Sequence, residues 1–97
     1  MDREEYVEAV LSLVEQIPPG RVMSYGAIAS VVGVGGPRQV GRVMATYGGA
    51  VPWWRVVRAD GRLPVCHDGE ARERHRDEPT PFRPNGCVDM AAAAWVP

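Results

Sequence analysis

Apolar residues at Val7, Val10, Leu11, Val14 and Ile17 recur at the three-and-four spacing of one helix face. The spacing predicts a first helix with Asp2 as N-cap, Glu5 three positions later completing a capping-box pattern, and Pro18-Pro19-Gly20 as the stop. Ser24 suits the N-cap of a second helix that turns Ala27, Ile28, Val31 and Val32 inward and ends at Gly33. The turn GVGGP then leads into a third helix from about Pro37 to Tyr47, with proline at the first helical position, where no N–H is needed. Val40, Val43, Met44 and Tyr47 form its apolar stripe. Arg38 and Arg42 lie one turn apart on another face, beside Gly41 and Ala45.

Beyond Gly48-Gly49 the periodicity changes. VPWWRVV reads as a strand, ADGRLPV as a D-G turn with a second extended piece, and together they predict a hairpin or wing. DGEARERHRDE, from Asp68 to Glu78, predicts a short polar helix with Asp68 near its N-cap. The tail is rich in proline and then alanine; it fits a short helix or an edge strand ending in a buried Trp95, and the pattern does not choose between them. There is no internal repeat and no linker long enough to separate domains, so residues 1–97 are read as a single domain.

With 45% apolar and 24% charged residues, the chain has enough apolar surface to build a core. No run approaches the roughly 18 apolar residues of a membrane span. The opening MDREEYVEAV lacks the basic and then apolar regions of a secretory signal, so a cytoplasmic protein is expected; a monomer is the expected state. Cys66 and Cys87 are expected to be free thiols in that compartment, and without paired CxxC spacing they suggest no zinc site. No metal or organic cofactor is implied.

The net charge of −1 hides a division along the chain. Residues 1–20 carry five acids against Arg3, whereas residues 21–62 carry six arginines against Asp60 alone. Every basic residue is arginine, a bias that a GC-rich coding preference produces without functional cause. The placement is more informative, because a basic stretch inside an otherwise acidic chain is what a polyanion-binding face requires. Two short helices joined by a glycine turn, the second presenting arginines, are a helix-turn-helix signature. The predicted class is therefore mostly α: a winged helix-turn-helix-like DNA-binding domain with a short hairpin or wing. The plainer alternative is a small helical core with solvated arginines.

IPPGRVMSYGAIASVVGVGGPRQVGRVMA, followed at short distance by VPWWRVV, resembles the C-terminal DNA-binding domain of the O6-alkylguanine-DNA alkyltransferases. That family's signature runs IPxGxVxTYGxIAxxxGxxxxARxVGxAM and then PCHRV, and the likeness covers about residues 6–63. Trp53 stands where the family has its acceptor cysteine, and Trp54 where it has its activating histidine. Tryptophan at the acceptor position marks a sister group, the alkyltransferase-like proteins. Resemblance to that group implies a non-enzymatic function: binding duplex DNA at O6-alkylguanine and flagging it for nucleotide excision repair proteins.

The chemistry of the residues agrees with that implication. Alkyl transfer needs a soft nucleophile and a group that deprotonates it, and an indole is neither. An indole does offer a stacking face for a base rotated out of the helix. The expected lesion pocket comprises Pro52, Trp53, Trp54 and Cys66, with Trp54 open to a packing role instead. By resemblance, Tyr25 presses on the phosphate flanking the flipped nucleotide, and Arg38 enters the duplex to fill the vacated space. Arg42, with Gly41 and Ala45, would lie in the minor groove, and Ser24 and Gln39 complete the expected DNA-binding set. Arg21 and Arg55 fit either phosphate contacts or support of the pocket loop.

The chain departs from the enzymes in three places. The hinge asparagine falls at Tyr47, the Gly48-Gly49 link is shorter, and the wall opposite the acceptor falls near Cys66 and His67. Cys66 beside His67 raises the alternative of a relocated alkyl acceptor, although neighbours in an extended segment point to opposite faces. A further alternative is a winged helix-turn-helix transcription regulator. That function calls for polar readers on the exposed helix face, where only Gln39 fits.

Overall fold

A computed structural model describes residues 1–64 and 69–97. Three helices come first: α1 (Arg3–Gln16), α2 (Tyr25–Val32) and α3 (Pro37–Tyr47). Each boundary has a local cause. The Asp2 carboxylate accepts from the Glu5 amide at 2.8 Å, and Ser24 Oγ accepts from the Ala27 amide at 3.0 Å. Gly33 closes α2 in the left-handed conformation, φ +86, which glycine adopts without strain. Gly35, at φ +76, lies so close to α1 that an added Cβ would sit 2.8 Å from the Tyr6 hydroxyl.

The helices pack around Val10, Leu13, Val14 and Ile17 of α1, Ile28 and Ala29 of α2, and Val40 and Val43 of α3. Within α2 the inward face differs from expectation. Ala27 and Val31 are exposed and Ala29 is buried, because an eight-residue helix wedged between α1 and α3 turns only a narrow stripe inward. Leu13 is buried although it lies outside the expected stripe, and Tyr47 at the end of α3 is 44% exposed.

The predicted strand through VPWWRVV contracts to β2 (Val56–Val57), and both tryptophans lie in a 3₁₀ turn at Trp53–Arg55. β2 pairs not with a hairpin partner but in parallel with β1 (Met23–Ser24), in the register Met23↔Val56 and Ser24↔Val57. The expected D-G reversal does form: Arg58 N–H donates to Arg62 O at 2.9 Å and Gly61 N–H to Arg58 O at 2.9 Å. The small ladder separates two apolar clusters. Met23 and Val56 face the helical core, whereas Val22 and Val57 face a second cluster with Val88 and Ala93. This is the alternation of side chains that extended backbone imposes.

The rest of the chain wraps this second cluster through α4 (Glu70–Asp77) and the short α5 (Met90–Ala93). α4 starts at Gly69 rather than near Asp68, which lies outside the described residues. The tail takes up both readings that the sequence left open. After α5, Trp95 N–H donates to Val22 O at 2.8 Å, and its half-buried indole packs against the helical core. Arg21 secures the same join by donating to Ala93 O at 3.0 Å and Ala94 O at 2.6 Å. Among the described residues no helix is long and apolar enough to cross a membrane.

Candidate nucleic-acid interface

The outer face of α3 is basic and has little side-chain bulk between its arginines. Arg38 and Arg42 are exposed, with no hydrogen-bond or ion-pair partner among the described residues. Gln39 is committed differently, since its side-chain oxygen accepts from the Gly36 amide at 2.9 Å and caps the helix.

Beside this face lies a cleft of about 380 Å³. Gly41, Met44 and Ala45 of α3 line one wall with the Gly48-Gly49 link; Tyr25, Trp53 and Pro64 line the others. An added Cβ at Gly41 or at Gly49 would meet nothing within 4 Å. Internal packing therefore does not require these glycines, and mid-helix Gly41 costs α3 about 1 kcal/mol relative to alanine. The bare backbone is turned toward the cleft, where an incoming group gains from it. Gly48 is different: it is buried, and a Cβ there would lie 3.0 Å from Met44 Cε.

The adjacent tryptophans are 5.7 Å apart and almost perpendicular, at 88°. They take different surroundings. Trp53 lines the cleft, whereas Trp54 Nε1–H donates to Glu78 Oε2 at 2.9 Å. The Arg74 guanidinium covers the Trp54 ring at 4.6 Å and that of Arg55 at 5.3 Å. Glu78 also accepts from the Gly20 amide at 3.2 Å and from Arg55 through both Nε and Nη2. Arg55 in turn reaches Ile17 O at 2.9 Å, so the guanidinium is spent on internal partners. Burial by itself would raise the Glu78 carboxyl, but hydrogen bonds from Arg55, Trp54 and Gly20 outweigh it and hold the group below its ordinary value.

One helical turn earlier, fully buried His75 bonds Trp54 O through Nε2 and Thr80 Oγ1 through Nδ1 at 2.8 Å. A carbonyl only accepts, so Nε2 carries the hydrogen and Nδ1 accepts from the threonine hydroxyl. Burial lowers the His75 pKa below 6.5 and keeps this neutral tautomer. The turn that presents Trp53 is thus held from behind by α4, through the backbone and side chain of its neighbour. Tyr47, at the hinge position, lies in a separate groove against α1.

Four of the expected residues, Tyr25, Gly41, Ala45 and Trp53, therefore share the cleft, with Arg38 and Arg42 on the helix beside it. Three others lie away from the cleft lining: of the roles left open, Trp54 takes the packing one as an anchor and Arg55 that of loop support, and half-buried Pro52 precedes the turn. Arg21 is likewise an internal tie, and Ser24 is the α2 cap. Cys66 and its pairing with His67 lie outside the described residues, while Cys87 is a free thiol. Sequence reading missed His75 and Glu78. A signal for His75 existed: in EARERHRD only Ala71 and His75 are not acid or arginine, they stand four apart, and both are buried. Among the described residues no cluster of histidine, cysteine or carboxylate side chains could hold a metal ion.

Residues 5–78 match the family described as 6-O-methylguanine DNA methyltransferase, DNA binding domain. A "DNA base-flipping protein" of Vibrio parahaemolyticus is 32% identical over 97% of this chain and 99% of its own length. The "Alkyltransferase-like protein 1" of Schizosaccharomyces pombe is 34% identical over 79% of this chain and 74% of its own. The fold is similar to that of S. pombe Atl1 in complex with damaged DNA containing O6-carboxymethylguanine. The TM-score is 0.86 with 28% identity, and both chains are covered completely. A second S. pombe ATL structure in complex with DNA gives 0.84.

Proposed function

Since this chain belongs to the family of 6-O-methylguanine DNA methyltransferase DNA-binding domains, we propose that it binds duplex DNA at O6-alkylguanine, holds the flipped base beside Trp53, and transfers no alkyl group. The observation that carries this reading is the cleft itself: a tryptophan face opposite a helix wall left bare at Gly41, adjoining the exposed Arg38 and Arg42. Arginines at these positions suit phosphate and base contacts, and a small-residue helix suits the close approach of a groove. Arg38 fills the space that the base vacates, and Tyr25 presses on the flanking phosphate.

No alkyl transfer follows from the chemistry of the turn. Trp53 presents carbon and an N–H where a thiolate would have to stand, and the neighbouring Trp54 N–H is already donated to Glu78. The bound lesion is therefore marked rather than repaired, and nucleotide excision repair proteins act on the complex in the cytoplasm.

The test is affinity at fixed salt for two short duplexes differing only by O6-methylguanine in place of guanine, since salt alone moves DNA affinity by orders of magnitude. Tighter binding of the modified duplex is expected. Stacking worth roughly 1–3 kcal/mol predicts that Trp53→Ala weakens it by about 5- to 150-fold. Equal affinity for both duplexes rules out lesion reading and leaves the regulatory alternative. A methyl gain in the intact mass of the protein rules out the non-transfer claim.

A further inference from the structure

A groove of about 850 Å³ runs between α1 and the segment that links α3 to the tryptophan turn. Val7, Leu11, Tyr47 and Val51 make it apolar, and Glu4, Glu8 and Glu15 rim it. We propose that this groove docks a basic amphipathic helix of a partner protein.

Charge identifies the occupant. The three rim carboxylates face only Arg3 within the groove lining, and none has an ion-pair partner among the described residues. Three acids outside the groove do have arginine partners, Glu70 with Arg74, Asp60 with Arg62 and Glu78 with Arg55, whereas the groove gathers three carboxylates against the single Arg3. The rim repels phosphate and attracts lysine or arginine, the reverse of the arginine face on α3. Spacing identifies the shape. Glu4, Glu8, Leu11 and Glu15 follow the four-three-four rhythm of one α1 ridge, with Val7 alongside. At about 1.5 Å per residue, α1 is roughly 21 Å long, which matches a partner helix of three to four turns. Such a helix would place apolar anchors three and four apart in the groove and basic residues against the rim. Tyr47, 44% exposed on the opposite wall, supplies the kind of large amphipathic surface enriched in interfaces.

The groove and the cleft lie back to back. Met44, Ala45, Thr46, Gly48 and Gly49 line the cleft, and Tyr47 and Val51 the groove, so a docked helix and bound DNA touch the same short segment without competing. That second point rests on the DNA reading; groove binding does not.

The test is a nitrogen-15 NMR titration of the full chain, free of DNA, with a synthetic 18-residue helix carrying leucines on one face and arginines flanking them. A scrambled peptide of the same composition and a version with glutamate for arginine serve as controls. Resonances of Val7, Leu11, Tyr47 and Val51 are expected to move, with both controls at least about tenfold weaker. Glu8→Arg with Glu15→Arg, both at exposed positions, is expected to weaken binding at least about tenfold. Equal binding of the scrambled peptide, shifts centred on Arg38 and Arg42 instead, or an unchanged double variant would overturn the proposal. So would a concentration-dependent dimer formed through the same residues, which would assign the groove to a second copy. Affinity for the O6-methylguanine duplex, measured on the same samples, reports on the cleft separately, so either reading can fail without the other.

Discussion

Gly41→Ala is expected to make this protein more stable and worse at binding DNA. Gly41 lies in the interior of α3 with no left-handed φ, and an added Cβ meets nothing within 4 Å. The methyl group therefore adds no internal clash while removing the conformational cost of a helical glycine, about 1 kcal/mol. For a domain of this size that corresponds to a rise in Tm of roughly 4–8 °C. The same methyl projects into the cleft wall that an incoming strand must approach. Overfilling a close contact costs about 1–3 kcal/mol, or roughly 5- to 150-fold in affinity. Thermal melting paired with fluorescence anisotropy on an O6-methylguanine duplex measures both effects on one sample. A raised Tm with unchanged affinity would mean that nothing comes close to this wall. A lowered Tm would mean that Gly41 is packed internally after all.

Three other substitutions probe the frame behind the cleft. Glu78→Ala strands the Arg55 guanidinium, whose side chain is only 12% exposed, together with the Trp54 and Gly20 N–H groups. We expect a loss of about 3 kcal/mol by urea unfolding, at the low end for a broken buried pair because some solvent reaches it; a loss under about 1 kcal/mol would contradict the network. Because the Glu78 carboxyl is held below 4.5, its contribution is complete above that pH and is lost as pH falls through the folded-state value, so the gap between wild type and variant narrows in acid. His75 is shifted downward by burial, so the unfolded chain gains a proton before the folded one as pH drops below 6.5. Unfolding free energy is expected to fall over this window and to fall less steeply in His75→Gln; identical slopes would argue against a buried neutral imidazole. Gly61→Ala is expected to cost about 3 kcal/mol or more, since φ is +89 and the new Cβ would lie 2.4 Å from Val88 O. A urea midpoint close to that of wild type would refute this.

The three helices were legible because their information is local. Asp2, Ser24, Gly33 and Pro37 each act on backbone within a few residues, and the α1 stripe needs only its own periodicity. The tryptophan turn was not legible in the same way. Its shape depends on Glu78 and His75, more than twenty positions away, and on a β1 strand that precedes α2 and α3. Valines on both sides of Trp53 and Trp54 suggested a strand, yet Trp54 anchoring to α4 favours a 3₁₀ turn. Trp53 was assigned to the pocket by resemblance, and the structure has it lining a cleft; the same resemblance did not decide that Trp54 would face α4. Arg55 shows the limit of counting charge, because one of the arginines of the basic stretch is consumed by an internal carboxylate.

The two-rung ladder between β1 and β2 acts as a party wall between two compartments. Side chains on its faces belong to different cores, Met23 and Val56 to one, Val22 and Val57 to the other. Substitutions confined to the helical compartment and others confined to the tail compartment have few shared neighbours, so their energetic effects sum. At the wall they do not, because altering Val57 moves the strand that also holds Val56 and the turn before it. The tail can therefore diverge in sequence with little consequence for the three helices, provided that the residues pressed against this wall keep their volume.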